Sequence, residues 1–278
     1  MRFALIINLG HNTPINIFKI AKEVHMNTIK VRNIEIGVGK PKIIVPIVGT
    51  SHEGIIREAK SFKEIPLDVV EWRVDWFEHS QDWNAVEALL KDLRLVLANT
   101  PILMTFRTSK EGGKKAIDIK DYIALNVNAA KSGLVDLVDV ELFSGNNVVQ
   151  TIIEQAHACG VKVVVSNHDF VQTPAKSDIV NRLRMMQDLD ADIPKIAVMP
   201  KNMKDVLTLL AATEEMVNDY ADRPIITMSM GTMGIISRLA GESFGSSMTF
   251  GAAQTASAPG QMDVADLNDV LNAIHQAI

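Results

Sequence analysis

Cysteine is almost absent from this chain of 278 residues, which contains only Cys159. A single thiol cannot form an internal disulfide, and no residues around it stand at the spacing of metal ligands. Chains without disulfides are typical of reducing compartments. The scarcity of cysteine therefore excludes a disulfide-stabilised extracellular scaffold and predicts a cytoplasmic protein.

Long hydrophobic runs and an excess of positive charge are also missing. No uninterrupted apolar stretch approaches the roughly 20 residues that a membrane helix needs, and the apolar run at 3–7 is too short for a secretory leader. The formal net charge is −5, without the basic cluster that phosphate binding requires. With 47% hydrophobic and 22% charged residues, a soluble globular chain is indicated. We expect a small-molecule substrate, no nucleic-acid partner and no membrane.

The chain does contain a regular alternation of short β-rich runs and longer segments with helical periodicity. Strands are predicted at 42–49, 68–75, 101–107, 135–142, 161–166, 193–199, 224–230 and 247–250. Their nearly continuous apolar character is typical of parallel strands that are covered on both faces. Eight such units predict an α/β fold, a (β/α)8 TIM barrel, which usually occupies about 250 residues.

A doubly wound open sheet is the alternative architecture. Polar side chains recur near the C-terminal ends of several different runs: Glu71, Arg73, Arg107, Glu141 and His168. An open sheet concentrates its site at one switch point, whereas a closed barrel gathers all strand ends around one mouth. The distribution of polar residues therefore favours the barrel.

The N-terminal region is predicted to add two features to the barrel. Residues 29–31 and 34–36 have the pattern of a short β-hairpin that closes the bottom of the barrel. Residues 1–25 are interpreted as an N-terminal extension of unknown role. We therefore expect a single domain over 26–278, preceded by that extension.

Lys195 and His168 are the first candidates for chemistry. Lys195 lies in the apolar run 193–199, and the preceding strand-like run, 161–169, has His168 at its end. Loss of hydration favours a neutral amine, which attacks a ketone to form an imine, and a nearby imidazole can transfer protons. The alternative is structural: the lysine extends its ammonium to water, and the histidine only caps a strand.

Three arginines suggest what the mouth of the barrel binds. Arg73, Arg107 and Arg238 stay charged at any working pH, and a guanidinium grips a carboxylate through two parallel hydrogen bonds. Alternatively, each arginine pairs with an acidic neighbour, such as Glu71 or Asp75 beside Arg73. The arginines predict a small carboxylate substrate if they are free to bind it.

Two glycine-containing loops follow predicted strands. The loop at 108–114 lacks the spacing of a phosphate-binding loop, so it gives little indication of a nucleotide. The later segment contains Ser257 and Gln261, which could lie over a hydroxylated substrate or belong to a plain polar loop.

Six short strings together resemble one enzyme family, type I 3-dehydroquinate dehydratase. They are EWRVD at 71–75, TFR at 105–107 with KEGG at 110–113, SNHDF at 166–170, PKIAVMP at 194–200, ISRLAGE at 236–242 and SAPGQ at 257–261. The resemblance extends from Met26 to the C-terminus, in order and with suitable spacing. Six motifs in the same order make the resemblance specific, although any one motif alone would be weak evidence.

The resemblance implies a usually homodimeric TIM barrel that needs neither a metal nor an organic cofactor. Such an enzyme converts 3-dehydroquinate to 3-dehydroshikimate and water by syn elimination in the shikimate pathway. It implies that Lys195 forms the imine, that His168 transfers protons and that Glu111 orients the imidazole. Arg238 would clamp the substrate carboxylate. The other implied substrate contacts are Glu71, Arg73, Arg107, Ser257 and Gln261.

One departure and two rival functions accompany this interpretation. Family members can carry a serine at the end of the first barrel strand, where this chain has Pro46, which offers no side-chain donor. A class I aldolase or transaldolase would use the same barrel and an imine-forming lysine, but would break a carbon–carbon bond. A catalytically silent barrel that acts as a binding protein is the second rival.

Overall fold

The computed structural model describes residues 27–253 and 255–278. The prediction of an N-terminal extension at 1–25 lies outside the described residues. Within them, no helix is long and apolar enough to cross a membrane.

Eight parallel strands form the barrel. After a hairpin of β1 (Ile29–Val31) and β2 (Ile34–Ile36), the barrel strands are β3 (Lys42–Ile47), β4 (Val69–Arg73), β5 (Ile102–Thr105), β6 (Leu137–Glu141), β7 (Lys162–Asp169), β8 (Ile193–Val198), β9 (Ile226–Ser229) and β10 (Met248–Ala252). The strands from β3 to β9 form one run of parallel neighbours in chain order, and β10 pairs in parallel with β3. A short strand β11 (Met262–Asp263) extends the edge of β10.

The junction of β9 and β10 completes the ring. A parallel bridge joins Ile225 to Ser246, and the amide of Ser247 donates to the carbonyl of Ile225 at 2.8 Å. The sheet is therefore closed, which confirms the predicted barrel and makes the open-sheet alternative wrong.

Helices cover the outside of the barrel. They are α1 (His52–Ser61), α2 (Trp83–Leu97), α3 (Ile119–Ser132), α4 (Asn146–Ala158), α5 (Lys176–Asp188), α6 (Met203–Glu215), α7 (Ile235–Leu239), α8 (Gly241–Phe244) and α9 (Val264–Ala277). The periodicity after the third predicted strand predicts a helix near 119–132 with Gly133 as its C-cap, and helix α3 has these bounds. The side chain of Asp118 accepts from the amide of Lys120 at its start, and Gly133 ends it at a φ of 67°, a left-handed conformation that glycine adopts at low cost.

The hairpin closes the bottom of the barrel, as predicted. Ile29, Val31 and Ile36 are buried, and they belong to the same apolar cluster as the inward-facing residues near the start of the barrel strands. Ile44 and Val69 are among these barrel residues. Because this lower layer is filled with apolar side chains, the opposite end of the barrel is left for polar groups.

Strand β7 extends three residues beyond the apolar run predicted at 161–166, to the end of the strand-like run at 161–169. Its ladder with β8 continues through the pair Asp169 and Val198, and His168 lies opposite Ala197. The histidine is therefore held by a strand ladder rather than placed in a loop.

Candidate active site

One cavity at the C-terminal end of the barrel brings together all nine side chains that the sequence analysis selected. Its lining comprises Glu71, Arg73, Arg107, Glu111, Gly112, His168, Phe170, Lys195, Ala197, Met228, Met230, Arg238, Phe250, Ser257, Ala258 and Gln261. These residues come from six strands or the segments that follow them. The cavity thus lies where (β/α)8 barrels place their catalytic groups.

Lys195 is buried inside the barrel and does not extend to water. Only 3% of the residue is exposed, and its Nζ lies 3.3 Å from the carboxylate of Asp139 and 4.0 Å from that of Glu71. The ammonium also lies over the ring of Phe250, 4.6 Å from its centroid. The surroundings predicted for this lysine were apolar, so they were incomplete: two carboxylates and an aromatic face meet its amine.

Asp139 is a central residue of the site that the sequence analysis did not select. Its carboxylate accepts from Arg107 Nη2 at 2.7 Å and from the hydroxyl of Ser166 at 2.6 Å. Burial alone would raise its pKa, but Arg107 and Lys195 outweigh burial and hold the pKa of Asp139 below its ordinary value. An ionised carboxylate therefore stands beside the amine of Lys195.

Arg107 is occupied mainly by protein acids. Besides Asp139, its guanidinium donates to Glu141 at 3.0 Å and to Ser166 at 3.0 Å. Burial opposes the charge of this guanidinium, but Asp139 and Glu141 raise the pKa of Arg107 above its ordinary value. The alternative of acid pairing is thus correct for Arg107, although the residue still borders the cavity.

Arg73 is also paired, in the way that the sequence analysis considered. Its Nε and Nη2 donate to the two oxygens of Asp75 at 2.9 and 3.0 Å. Both residues are buried, so this pair is not a surface feature. Asp75 in addition accepts from the amide of Lys114 at 3.0 Å, which ties the pair to the loop that carries Glu111.

Arg238 differs from the other two arginines. It is 2% exposed, and its contacts are with the sulfur of Met228 at 3.4 Å and the carbonyl of Pro259 at 3.1 Å. Within the described part of the chain its guanidinium has no carboxylate partner, and its Nε has no hydrogen-bond acceptor. Burial lowers the pKa of Arg238 to about 10. Burial of a charge without an acidic partner is costly, and an anionic ligand at Arg238 would reduce that cost.

His168 and Glu111 form a direct pair. One oxygen of Glu111 lies 3.0 Å from Nδ1 of His168 and accepts from its backbone amide at 2.9 Å. Burial, followed by the positive charges of Arg107 and Lys195, lowers the pKa of His168 well below 6.5. A neutral imidazole that donates from Nδ1 to a carboxylate keeps its Nε2 lone pair free. His168 is therefore arranged as a base.

The ionisation of Glu111 is easily reversed. Burial raises its pKa to about 7, although Arg107 opposes this rise. Arg107 Nη1 lies 3.8 Å from the carboxylate. Glu111 therefore gains or loses its proton close to neutral pH.

The last two predicted residues lie together on the loop before β11. The side-chain oxygen of Gln261 accepts from the amide of Ser257 at 2.8 Å, and its nitrogen donates to the Ser257 hydroxyl at 3.0 Å. Pro46 stands where members of the family can carry a serine. It is buried in β3 opposite Glu71 and is not part of the cavity lining.

Three polar residues that neutralise or orient the others were not predicted to belong to the site. Asp139, Ser166 and Asn167 are buried polar residues within strand ladders. Their signal was present, because a buried polar residue in an apolar strand needs a partner. Among the described residues, no group of three or more histidine, cysteine, aspartate or glutamate side chains has the geometry of a metal site.

Comparison with known proteins identifies the family. The family model for type I 3-dehydroquinase matches residues 43–278. The 3-dehydroquinate dehydratase of Clostridioides difficile strain 630 is 54% identical over 250 residues, which cover 90% of this chain and 98% of the relative. That of Escherichia coli O9:H4 is 54% identical over 252 residues, which cover 91% and 100%.

A solved structure agrees with these sequence matches. The type I 3-dehydroquinate dehydratase from Clostridium difficile, crystallised with covalently modified comenic acid, superimposes with a TM-score of 0.89 at 54% identity, covering 91% of this chain and 99% of that one. Sequence and fold thus agree over nearly the whole relative. The chain belongs to the type I 3-dehydroquinase family.

Proposed function

We propose that this chain dehydrates 3-dehydroquinate to 3-dehydroshikimate through an imine on Lys195, as a hydro-lyase of the shikimate pathway. Membership of the family supports the overall reaction. The observation that carries the residue assignments is one cavity that contains a buried amine, a histidine with a free Nε2 and a guanidinium without an acidic partner among the described residues.

Substrate binding begins with the carboxylate. Arg238 is the cavity arginine that lacks a protein carboxylate in the described structure, so we assign the substrate carboxylate to it. Arg73 and Arg107 keep their own acids and contribute positive potential. Glu71, Ser257 and Gln261 offer hydrogen-bonding groups for the substrate hydroxyls. This arrangement fits a small hydroxylated acid.

Imine formation uses the amine of Lys195. The neutral Nζ attacks the C3 ketone, and the resulting carbinolamine loses water to give a protonated imine. Asp139, at 3.3 Å, holds the amine in place, and the ammonium loses its proton to solvent before the attack. The protonated imine then draws electrons from C2 and makes the C2 hydrogen acidic.

Elimination uses His168. Its Nε2 removes the C2 proton to give an enamine, and the same imidazolium returns that proton to the C1 hydroxyl as water departs. One base acting on both atoms from one face gives syn elimination. Water then hydrolyses the product imine and frees both the product and Lys195.

An aldolase-type function is the rival with the same lysine chemistry. It would break a carbon–carbon bond, commonly in a phosphorylated substrate, whereas the free guanidinium here faces a site suited to a carboxylate. Incubation with 3-dehydroquinate separates the two functions, because dehydration produces a conjugated enone with a near-ultraviolet absorption band. Absence of that band would favour the aldolase.

Borohydride reduction with intact-mass analysis tests the proposal directly. Reduction in the presence of 3-dehydroquinate is expected to add one ligand covalently, and peptide mapping is expected to place it on Lys195. An unmodified mass would refute the imine and would support the silent binding barrel instead. Mapping to another lysine would refute the assignment of Lys195.

Replacement of Arg238 by methionine is expected to separate binding from stability. Loss of charge-assisted hydrogen bonds should raise KM for 3-dehydroquinate by roughly 10- to 100-fold. The ligand-free variant should unfold at the same or a higher temperature, because a buried charge without an acidic partner is costly. Steady-state kinetics and thermal unfolding, with and without ligand, measure both effects. An unchanged KM would contradict the assignment.

The pH dependence of turnover is expected to follow Glu111. With its pKa near 7, protonation below that pH removes the acceptor of the His168 Nδ1 proton, so kcat should fall about tenfold per pH unit on the acid side. This fall of kcat toward low pH is called the acid limb. Glu111→Gln should have a lower kcat and no acid limb between pH 5 and 8. If that variant kept the acid limb unchanged, the ionisation would belong to another group.

We also propose that the protein is a cytoplasmic homodimer. Support for self-association comes from exposed apolar side chains on neighbouring elements: Met203 and Leu207 of α6, at 59% and 63% exposure, and Ile236 of α7, at 44%. Sedimentation equilibrium should give twice the chain mass of 30.5 kDa. The lone thiol, Cys159, supports a reducing compartment.

A further inference from the structure

A chain of hydrogen bonds runs from the outside of the barrel to the catalytic pair. Arg182 on α5 donates from Nη1 to Oδ1 of Asn167 at 2.9 Å. Asn167 in turn donates from Nδ2 to Oε1 of Glu111 at 3.2 Å. The other oxygen of Glu111 holds both the amide and the ring of His168. Neither Arg182 nor Asn167 lines the cavity.

The two ends of this chain determine the orientation of the Asn167 amide. A guanidinium only donates hydrogen bonds, and an ionised carboxylate only accepts them. Just one of the two amide orientations places Oδ1 toward Arg182 and Nδ2 toward Glu111. Without the arginine, a flipped amide would direct its oxygen at the carboxylate. Arg182 and Glu111 therefore together select the orientation in which Asn167 supports Glu111.

The alternation of strand β7 makes this arrangement possible. Ser166 and His168 point into the barrel, where Ser166 meets Asp139 and Arg107. Asn167, between them, faces the helix layer and is 4% exposed. Glu111 reaches over the end of the strand and contacts both Asn167 and His168. The same strand thus supplies the base and a support for the carboxylate that orients it.

We propose that Asn167 and Arg182 are positioning residues that lock the carboxylate of Glu111 against the imidazole of His168. This inference rests on the proposed function, because it concerns the same base. Both oxygens of Glu111 are occupied in the resulting geometry, so the carboxylate cannot rotate away from Nδ1. The lock therefore keeps the proton on Nδ1 and the lone pair on Nε2, which faces the substrate.

The lock also influences the ionisation of Glu111. The charged and titratable groups that face this carboxylate are Arg107 from the end of β5, Glu141 from β6 and His168 from β7. The hydrogen bond from Asn167 lowers the pKa of Glu111. Its removal should therefore raise that pKa and move the acid limb of kcat to higher pH. A residue that only stabilised the fold would not shift this limb.

Arg182→Met and Asn167→Ala test the inference, with Arg184→Met as the matched control. Arg182 also lies 5.6 Å from the Phe143 ring centroid and 3.9 Å from Asp169, and methionine keeps the apolar contact. Arg184 is an exposed arginine on the same helix that packs on Tyr220 instead. Both test variants should lose about tenfold in kcat, a typical effect of one hydrogen bond to a charged group. KM should change little.

Two further measurements complete the test. The acid limb of kcat should move to higher pH in both test variants, remain in place in Arg184→Met and be largely restored in Arg182→Lys, which keeps a donor. Nitrogen NMR of the resting enzyme should show a loss of the single Nδ1–H tautomer of His168 in both test variants. Should Asn167→Ala fail to fold, Arg182→Met decides, because Arg182 lies at the edge of the barrel.

The inference would be overturned if Arg182→Met had the kcat of the wild type, the same fall of kcat at acid pH and the same tautomer of His168. Borohydride adducts keep this outcome distinct from failure of the proposed function. If the wild type forms the adduct and the acid limb of kcat lies at the same pH in the variants as in the wild type, only the positioning role is wrong. If the wild type forms no adduct, the imine mechanism is wrong, and the NMR spectra still report whether Arg182 and Asn167 hold the histidine.

Discussion

Replacement of Lys195 by alanine is expected to abolish both turnover of 3-dehydroquinate and covalent trapping by borohydride. The loss should exceed the roughly 10²- to 10⁴-fold that a single acid–base group contributes, because the variant cannot form the electron sink that makes the C2 hydrogen acidic. Enone absorbance measures turnover, and intact mass measures trapping. Trapping that persists in this variant would refute the assignment of the lysine.

Folding of this variant is expected to be preserved. Asp139 loses its contact with Lys195, but it keeps Arg107 at 2.7 Å and Ser166 at 2.6 Å. Thermal unfolding should therefore remain cooperative. Lys201→Ala, at an exposed position just after β8, serves as the matched control and should retain full turnover and full trapping.

Replacement of His168 by alanine is expected to separate imine formation from elimination. The amine of Lys195 is untouched, so borohydride should still trap an adduct. The C2 proton loses its base, and kcat should fall by about 10²- to 10⁴-fold. The trapped adduct should carry the intact substrate and be heavier by one water than an adduct of the product.

The mass of the adduct shows which step the variant has lost. If His168→Ala turned over at the wild-type rate, the imidazole would have no part in the mechanism. If the variant formed no adduct, His168 would be required for the imine itself. His79→Ala, which changes an exposed histidine with 63% of its side chain accessible, should behave as the wild type.

The local pattern of apolar and polar residues along the chain predicted much of the fold. Helix α3 was predicted at its observed bounds, and the hairpin of β1 and β2 was predicted residue by residue. Strand bounds were less accurate: β7 continues to Asp169 because its ladder with β8 continues, and that ladder depends on residues about 30 positions away. Periodicity identifies an element, but pairing decides where a strand ends.

The residues that border the candidate site were predicted from the sequence, but the pairing of their charges was predicted less well. All nine selected side chains border one cavity, which motif spacing and strand ends were sufficient to indicate. The free arginine could not be identified in advance. Arg73 turned out to be paired with Asp75, and Arg238 has no acidic partner in the described structure. The roles of these residues stay predictions until the variants are measured.

The sequence by itself determined an eight-fold succession of apolar strands and amphipathic helices, with reactive residues at the strand ends, because these features depend on neighbours along the chain. Only the tertiary structure decided which charges meet. Asp139 is 32 residues from Arg107 and 56 from Lys195, and closure of the barrel brings all three together. Coulombic energy and desolvation depend on distance in space and on burial, and neither can be read from spacing along the chain.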